Sequence, residues 1–536
     1  MKTYVTIYRK LFPVILLSAL TMSLQAQNKL DKAREYKDNY QFANALALYT
    51  DFYKTRTPKK AGDIRDIAHC YLMMNDVQSA QGWLSRMTTF NVYSPDEMLD
   101  YASALKSLGK YDEAILQYRR FAKIFPKKSA AVSGWVEQCE VSKEWIENPR
   151  SFLIRNLENL NSDNSEFGLF PYGDGYLFSS DRTLPDQSYR EKEIFGWTGN
   201  PYLKLYSLEK LDEKASATDI RPVSSVNSAF HNGPGVYDKN RDILIYTITR
   251  LEKDKSDIPT NSDPTSWEES GVDDRYVNRL EIYSVSRNGD DWGVPVAFPY
   301  NNIEKYSVGH PALSPDGNIL YFVSDMPGGQ GKSDIWYSER TENGEWRAPV
   351  NAGDKINSAG KEGFPVMTED GILNFSSDGL PGMGGLDIFR ATGNKDLWTA
   401  PENLKYPMNS PKDDFSLITD DGGLSGYFSS NRDGGKGEDD IYHFDRKLII
   451  VGIAKSRLPD NSLLTLEDVI LTIDNISDKK SETGRSDHNG RYLTIAKCGA
   501  EYELRASKSG YFTQTGSLEA VCSDADTLYV EMILDK

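Results

Sequence analysis

The hydrophobic period of the chain changes twice, and the changes divide it into three regions. Residues 28–147 place apolar side chains at helical spacing, whereas residues 150–446 are short apolar runs separated by Asp-Gly and Gly-Gly pairs. Residues 447–536 alternate apolar and polar positions. A period near 3.6 indicates amphipathic helices, and a period of two indicates half-buried strands. The pattern predicts an α-helical region, a region of many short strands and a small β-sandwich.

The helical region contains an internal repeat. The segments QFANALALY, DVQSAQGWL and KYDEAILQY align so that equivalent alanines stand 35 and 34 residues apart: Ala45, Ala80 and Ala114. Small side chains at such positions let antiparallel helices approach closely, so these alanines are predicted to be packing residues. The spacing resembles that of tetratricopeptide (TPR) repeats, and a helix over 129–146 would cap the open end of the array.

The middle region repeats with a longer period. The segment ILYFVSDMPGGQGKSDIWYSE (319–339) aligns with two later segments, and glycines and acids recur every 53 residues: Gly331, Gly384, Gly437, Asp334, Asp387 and Asp440. A repeat of this length with four short strands is typical of a β-propeller blade. Two weaker copies precede these three, so five blades are predicted, or six if the insertion at 251–278 conceals strands. A strand within 150–168 is expected to complete the last blade and close the ring.

The glycine-rich loops of these repeats could in principle bind a ligand. They lack the strand–loop–helix and Lys-Ser/Thr pattern of a phosphate site, and the dense D-x-D spacing of a calcium loop. The glycines of the first loop, Gly328, Gly329 and Gly331, are instead predicted to supply backbone conformations unavailable to other residues. Asp334 is predicted to accept hydrogen bonds from loop amides. The six repeated residues are thus predicted to build blades, with no metal or cofactor.

The net charge and the N-terminal segment indicate which partners the protein can have and where in the cell it is placed. The formal net charge of −17 argues against nucleic acid and anionic lipid as partners. A basic start, an apolar centre and a small-residue cleavage site after Ala26 predict a signal peptide over 1–26, with no transmembrane segment after cleavage. Cys498 and Cys522 could form a disulfide after export, with free buried thiols as the alternative.

The motifs resemble known families. SPDG…FVSD…GGQGKSDIWYSE is similar to the WD-like propeller repeats of TolB-type and OmpA-associated proteins. SDHNGRY…YELRASKSGY resembles the carboxypeptidase regulatory-like domain, a transthyretin-like sandwich. The order of these regions resembles that of periplasmic proteins of the Bacteroidetes, some of which serve type IX secretion and gliding. In those proteins an OmpA-like peptidoglycan-binding domain usually follows the sandwich. Because this chain stops at Lys536, directly after the sandwich, no direct peptidoglycan anchor is expected.

The sequence lacks three common motifs of catalytic and metal-binding sites. The sequence has no HExxH, no paired Cys-x-x-Cys spacing and no G-x-S-x-G elbow. The expected function is a non-enzymatic scaffold or adaptor that is periplasmic and associated with the outer membrane. It is expected to bind envelope or outer-membrane proteins through the TPR groove and a propeller face. The alternative is a glycan- or peptide-binding module that uses the propeller pocket, or a non-catalytic subunit of a hydrolase system.

The predicted organisation joins one helical and two all-β domains. Their bounds are 1–26 for the signal peptide, 28–147 for the TPR repeats with a capping helix, 150–446 for the propeller and 447–536 for the sandwich.

Overall fold

The computed structural model describes residues 28–58, 60–87, 94–183, 189–190, 193–209, 211, 220–253, 276–289, 291–420, 423–521 and 527–536. Within these residues the fold is mostly β, and the α-helices all precede the first strand. The predicted signal peptide lies outside the described residues. In the part of the chain that is described, no helix is long and apolar enough to cross a membrane.

The N-terminal helices form a consecutive stack in which each packs against the next in sequence. Their bounds are α1 (28–38), α2 (Phe42–Tyr53), α3 (Ala61–Met73), α4 (Val77–Met87), α5 (Pro95–Ser107), α6 (Tyr111–Ile124) and α7 (Ser129–Glu147). Helix α5 begins at a capping box, in which the Ser94 side chain accepts from the Glu97 amide and the Glu97 carboxylate accepts from the Ser94 amide. This arrangement satisfies two of the otherwise unpaired amides at the helix start. Ala45, Ala80 and Ala114 are each 0% exposed.

The middle region is a β-propeller whose described strands form five antiparallel sheets. Blade 1 has β2 (Glu166–Tyr172), β3 (Gly175–Ser180), β4 (Lys204–Leu208) and β5 (Arg221–Pro222). Blade 2 has β6 (Asn232–Asp238), β7 (Ile243–Lys253), β8 (Tyr276–Asn288), β9 (Asp291–Trp292) and β10 (Val296–Ala297), and blade 3 has β11 (Val308–Leu313), β12 (Ile319–Ser324), β13 (Asp334–Glu339) and β14 (Val350–Asn351). Blade 4 has β15 (Glu362–Met367), β16 (Ile372–Ser377), β17 (Asp387–Asn394), β18 (Leu397–Trp398) and β19 (Glu402–Asn403), and blade 5 has β20 (Asp414–Asp420), β21 (Ser425–Ser430) and β22 (Asp440–Arg457). The innermost strands β2, β6, β11, β15 and β20 contact one another in a closed ring.

The ring closes through a strand that comes from before the first blade. Strand β1 (Phe152–Asn156) pairs antiparallel with β22, from Phe152 opposite Arg446 to Asn156 opposite Tyr442. This is the closure expected from the sequence. Pairing the two ends of the propeller in one blade removes the sheet edge that each would otherwise expose.

The C-terminal region is a sandwich of two sheets that shares a strand with the propeller. Strand β22 continues beyond blade 5 and pairs with β23 (Leu463–Thr465), β26 (Arg491–Lys497) and β29 (Thr527–Leu534). The second sheet has β25 (Lys480–Arg485), β24 (Ile470–Asn475), β27 (Glu501–Ser507) and β28 (Gln514–Glu519). The core between the sheets includes Leu448, Leu471 and Leu504. Cys498 is disulfide-bonded, and Cys522 lies outside the described residues, so their pairing stays a prediction.

The helices contact the propeller on the face where the third strand of each blade begins. The Tyr111 hydroxyl donates to the Met383 carbonyl oxygen at 3.0 Å, and the Asn75 amide donates to Asp413 at 2.6 Å. On blade 1, the Trp197 indole donates to the Met73 carbonyl oxygen at 2.7 Å. Met383 lies in the glycine-rich loop of blade 4, so one of the repeated loops forms part of the contact with the helices.

Candidate functional site

The innermost strand of every blade contains a register break at the same level. The breaks fall between Phe167 and Phe170, Asn232 and Gly235, Gly309 and Ala312, Gly363 and Val366, and Phe415 and Ile418. At this level φ is +50° for His310, +52° for Phe364 and +55° for Ser416. Non-glycine residues adopt positive φ infrequently, and a bulge re-aims the side chain that it carries. The repeated bulge therefore turns side chains of different blades toward the channel.

Aromatic side chains at the bulges fill the centre of the propeller. The His310 ring stacks on Phe364, with centroids 4.2 Å apart, and Phe364 lies 4.5 Å from Phe415. Phe167 of blade 1 is 5.8 Å from Phe415. Burial lowers the pKa of His310 to about 4, so its ring is neutral at pH 7. These rings form a neutral aromatic floor across the channel.

A cavity of about 280 Å³ lies between this aromatic floor and the turns that follow the innermost strands. Its walls are apolar side chains and prolines contributed by all five blades: Leu169, Pro171, Pro234, Val236, Pro311, Leu313, Pro365, Val366 and Ile418. The prolines offer a carbonyl oxygen but no backbone N–H donor. The cavity opens on the face opposite the helices, because its mouth is formed where the innermost strands end.

Charged side chains surround the mouth in pairs. Asp238 is 4% exposed, and its carboxylate lies 3.0 Å from the Arg241 guanidinium and 3.5 Å from that of Arg340. Lys239 of blade 2 and Glu369 of blade 4 form an ion pair of 2.8 Å between turns of two non-adjacent blades. Both residues of the second pair are largely exposed, so solvent screens it and its strength is modest. The site thus combines apolar walls with a charged rim.

The repeated glycines and aspartates lie on the other face, at the start of the third strands. Asp334 accepts from the Gly331 amide at 3.0 Å, and Asp387 accepts from the Met383 amide at 2.8 Å. Asp440 accepts from the Gly437 amide at 3.1 Å. The cavity lining contains none of the six repeated residues. Their blade-building role stays a prediction, and it is consistent with these local hydrogen bonds. Among the residues described, no group of three or more His, Cys, Asp or Glu is placed to hold a metal.

The reason given for two of the loop glycines was wrong. Gly328 does adopt a left-handed φ of +100°, but Gly329 and Gly331 do not have positive φ. A methyl group added at Gly331 would lie 2.4 Å from the carbonyl oxygens of Gly360 and Ser358, in the loop that leads into blade 4. Gly331 is therefore suited to its position by the close approach of a neighbouring backbone rather than by φ.

A set of asparagines links each blade to the next. Asn357 accepts from the Ile335 amide at 2.8 Å and donates to the Ile335 carbonyl oxygen at 3.0 Å. The same two-way contact with the third strand of the preceding blade is made by Asn161, Asn227, Asn301 and Asn409. Four of these asparagines precede a serine, which is the Asn-Ser turn visible in the repeat. That turn was a signal for inter-blade contacts that sequence reasoning did not use.

The cavity residues were also missed from the sequence. His310, Phe364 and Ser416 stand 54 and 52 residues apart, close to the repeat period, so the alignment of blades carried a usable signal. Their importance depends on the bulge, which changes the direction of the side chain without changing the hydrophobic pattern. Lys239 and Glu369 are turn residues whose pairing across the mouth has no local signature.

Three buried carboxyl groups predict that stability depends on pH. Burial, the largest cause in each, raises the pKa of Asp181, Glu362 and Asp387 to about 7. In the unfolded chain these groups titrate near pH 4, so the folded state holds more protons between about pH 4 and pH 7. The free energy of unfolding should therefore fall as the pH rises through this window, by at most about 1.4 kcal/mol per pH unit for each of the three groups. Urea unfolding between pH 5 and pH 8 measures it.

The matched control for this pH dependence is Asp387→Asn, which removes one of the three groups. Its side chain cannot ionise, so we expect the pH dependence of the unfolding free energy to become shallower than in the wild type. A steeper dependence, or a wild-type stability that rises with pH over the same window, would contradict the assignment of raised pKa values.

Several solved structures are distantly similar to this chain. No family model and no curated protein matches the chain. One is an α-L-arabinofuranosidase from Lactobacillus brevis, which is 11% identical over 58% of this chain and 95% of that chain, with a TM-score of 0.33. Another is a xylan β-1,4-xylosidase from Bacillus halodurans C-125, which is 9% identical over 70% of this chain and 93% of that chain, with a TM-score of 0.30. A 3-chlorocatechol 1,2-dioxygenase from Rhodococcus opacus 1CP is 15% identical over 17% of this chain and 59% of that chain, with a TM-score of 0.14.

These comparisons contradict the expectation of a non-enzymatic scaffold or adaptor, because the structures they return are enzymes. The low identities and TM-scores give the likeness no weight in assigning a reaction. The cavity is therefore the feature of this chain on which a function can rest.

Proposed function

We propose that the central cavity of the propeller is the functional site and that it binds a small, largely apolar molecule whose polar groups remain at the mouth. The observation that carries this proposal is the cavity of about 280 Å³ with apolar walls, an aromatic floor and a charged rim. Apolar walls with a few placed polar groups are typical of small-molecule sites, and this volume is near the lower end of their range.

The ligand chemistry follows from the groups that face the cavity. His310 is neutral at pH 7, so the floor offers ring faces and no full charge. The wall prolines withhold backbone donors, so a ligand deep in the cavity gains mainly from burial of its apolar surface. Hydroxyl, amide or charged groups on the ligand are best placed beside Lys239 and Glu369, where water also reaches.

Fluorescence titration with N-phenyl-1-naphthylamine, a neutral apolar probe, tests this proposal. We expect saturable binding of one molecule per chain. Thr419→Trp fills the cavity from β20 and should abolish binding, whereas Leu397→Trp, at a side chain 75% exposed on blade 4, should leave it unchanged. Absence of saturable binding, or binding that persists in Thr419→Trp, would sink the proposal.

Hydrolysis of a glycosidic bond is the second candidate. It is favoured by two carboxylates, Asp238 and Glu369, that line one cavity from separate blades, since most glycosidases act through a pair of carboxylates. Aryl glycosides that include an arabinofuranoside and a xyloside are the substrates to test. Turnover that is lost in both Asp238→Asn and Glu369→Gln would establish this activity, and absence of turnover on all of them would exclude it for these sugars.

We further propose that the helices are TPR repeats, that the sandwich is of the carboxypeptidase regulatory-like, transthyretin-like type, and that the chain is exported to the periplasm. The 35- and 34-residue spacing and the stacked helices support the first, and the basic and apolar start of the chain supports the last. Intact-mass analysis of protein recovered from the envelope should show a mature chain that begins at Gln27. An unprocessed chain would contradict export. A Bacteroidetes source and envelope or outer-membrane partners stay predictions.

A further inference from the structure

The lining of the central cavity includes one deeply buried hydroxyl group without a partner. Three hydroxyl side chains of the lining are already bonded to a nearby aspartate: Ser314, Thr368 and Tyr237. Two others, Ser416 and Thr419 on β20, have no hydrogen-bond partner among the residues that the structure describes. Thr419 is half-buried, whereas Ser416 is only 5% exposed. Because buried hydroxyl groups are normally hydrogen-bonded, the partner of Ser416 is expected among the contents of the cavity.

The backbone of β20 places the Ser416 side chain in the channel at some cost. Ser416 lies within the register break between Phe415 and Ile418 and has a φ of +55°. At the equivalent bulge of blade 1 the residue is Gly168, with a φ of +66°. Glycine adopts such a φ without strain, whereas other residues that adopt it are uncommon and cluster at functional sites. A serine at this bulge therefore brings a hydroxyl group to a position where glycine would fit more easily.

The surroundings of Ser416 are aromatic and uncharged. The ring of Phe415, the preceding residue, lies 4.5 Å from that of Phe364, which stacks on His310. The charged residues of the lining belong to the turns at the mouth: Asp238, Lys239 and Glu369. A planar apolar ring can stack on such a floor, but a charged substituent beside Ser416 would lose its hydration without gaining a counter-ion. A neutral hydroxyl substituent avoids that cost, because a serine hydroxyl both donates and accepts hydrogen bonds.

We propose that the ligand of the cavity is a planar apolar ring that carries a neutral hydroxyl group, and that this group is hydrogen-bonded to Ser416. This inference rests on the proposed function, and it adds one polar contact at the floor to those placed at the mouth. A ligand without the hydroxyl group leaves Ser416 buried and unpaired, so the site discriminates against it. Ser416 is thus a specificity-determining residue of the cavity.

Equilibrium dialysis of the full chain at pH 7 with 2-naphthol and 2-methylnaphthalene tests the contact. The two molecules are alike in shape, and one has a hydroxyl group where the other has a methyl group. Ser416→Ala should raise the dissociation constant of 2-naphthol by about 3- to 10-fold and change that of 2-methylnaphthalene by less than about two-fold, since one hydrogen bond is lost. Ser416→Gly, which accepts a positive φ without strain, should show the same selective loss.

Two matched controls remove other hydroxyl groups of the lining. Ser314→Ala removes one that already donates to Asp316 and accepts from the Ile319 amide, and Thr419→Val removes the half-buried one on the same strand. Neither should weaken 2-naphthol selectively. A selective loss in Thr419→Val instead of Ser416→Ala overturns the inference, because the ligand hydroxyl then lies nearer the mouth.

The remaining outcomes separate this inference from the proposed function. If the wild type binds N-phenyl-1-naphthylamine but Ser416→Ala weakens both naphthalenes alike, or neither of them, the contact with Ser416 is wrong and the apolar site stands. If the wild type binds neither naphthalene while it binds N-phenyl-1-naphthylamine, the ligand class is wrong. If the wild type binds none of the three molecules, the proposed function fails, and this inference fails with it.

Discussion

Substitution of Gly384 by alanine is expected to lower the free energy of unfolding of the propeller by about 4 kcal/mol. A methyl group at this position would lie 1.6 Å from the carbonyl oxygen of Pro411 and 2.4 Å from its carbonyl carbon. Both belong to backbone that leads into blade 5, so neither can move aside as a side chain would. The loop or the neighbouring blade must shift, and the local hydrogen bonds to Asp387 would be lost with it. Urea unfolding monitored by tryptophan fluorescence measures the change.

The matched control for this substitution is Gly82→Ala in α4. A methyl group at Gly82 meets nothing within 4 Å, and the residue is in a helix interior. Alanine there should stabilise the protein by about 0.5–1 kcal/mol, because glycine loses more backbone entropy on folding. If Gly384→Ala were as mild as Gly82→Ala, the close contact between neighbouring blades would not be the reason for the repeated glycine.

The repeat period predicted where these glycines occur but not why. The spacing of 53 residues aligns Gly331, Gly384 and Gly437 without information on what each one faces. Each faces backbone that leads into the next blade around the ring, and for Gly437 this is Asn164 from the start of the propeller, 1.8 Å from an added methyl group. Contacts between residues so far apart in the chain exist only once the ring has closed. The sequence could therefore suggest only a local reason for the glycine, namely an unusual backbone φ. For Gly331 this reason is wrong, because its φ is not positive.

The cavity shows the same limit of sequence reasoning. Alternating apolar residues predicted the innermost strands, yet a strict alternation cannot say which side chain a bulge turns toward the axis. His310 and Phe364 reach the channel because each has a positive φ inside an otherwise regular strand.

The buried ion pair between Arg432 and Asp414 should be the other position of large effect. The Arg432 guanidinium lies 2.6 Å from the Asp414 carboxylate and donates to the carbonyl oxygens of Pro407 and Met408 at 2.9 and 2.8 Å. It also lies over the ring of Phe428, at 4.7 Å from the centroid. The Asp414 side chain is 0% exposed. One cation thus satisfies a buried carboxylate and two carbonyl groups in the connection between blades 4 and 5.

Arg432→Ala is expected to destabilise the protein by about 3–5 kcal/mol, because removal of one partner leaves a buried charge uncompensated. Arg390→Ala is the matched control. Its ion pair with Glu402 is 2.9 Å long but nearly half exposed on both sides, so its loss should change the unfolding free energy by less than about 1 kcal/mol. Equal effects of the two substitutions in urea unfolding at pH 7 would show that burial does not distinguish these pairs.

The pH dependence of Arg432→Ala separates loss of charge compensation from loss of packing. Burial already raises the pKa of Asp414, and the nearby Arg432 cation opposes that rise. Without the cation the folded-state pKa of Asp414 rises further, so its carboxyl group is neutral at lower pH and carries an uncompensated charge only at higher pH. The cost of Arg432→Ala should therefore grow between pH 5 and pH 8. A cost that is the same at both pH values would assign the effect to lost contacts with Phe428 and the carbonyl groups instead.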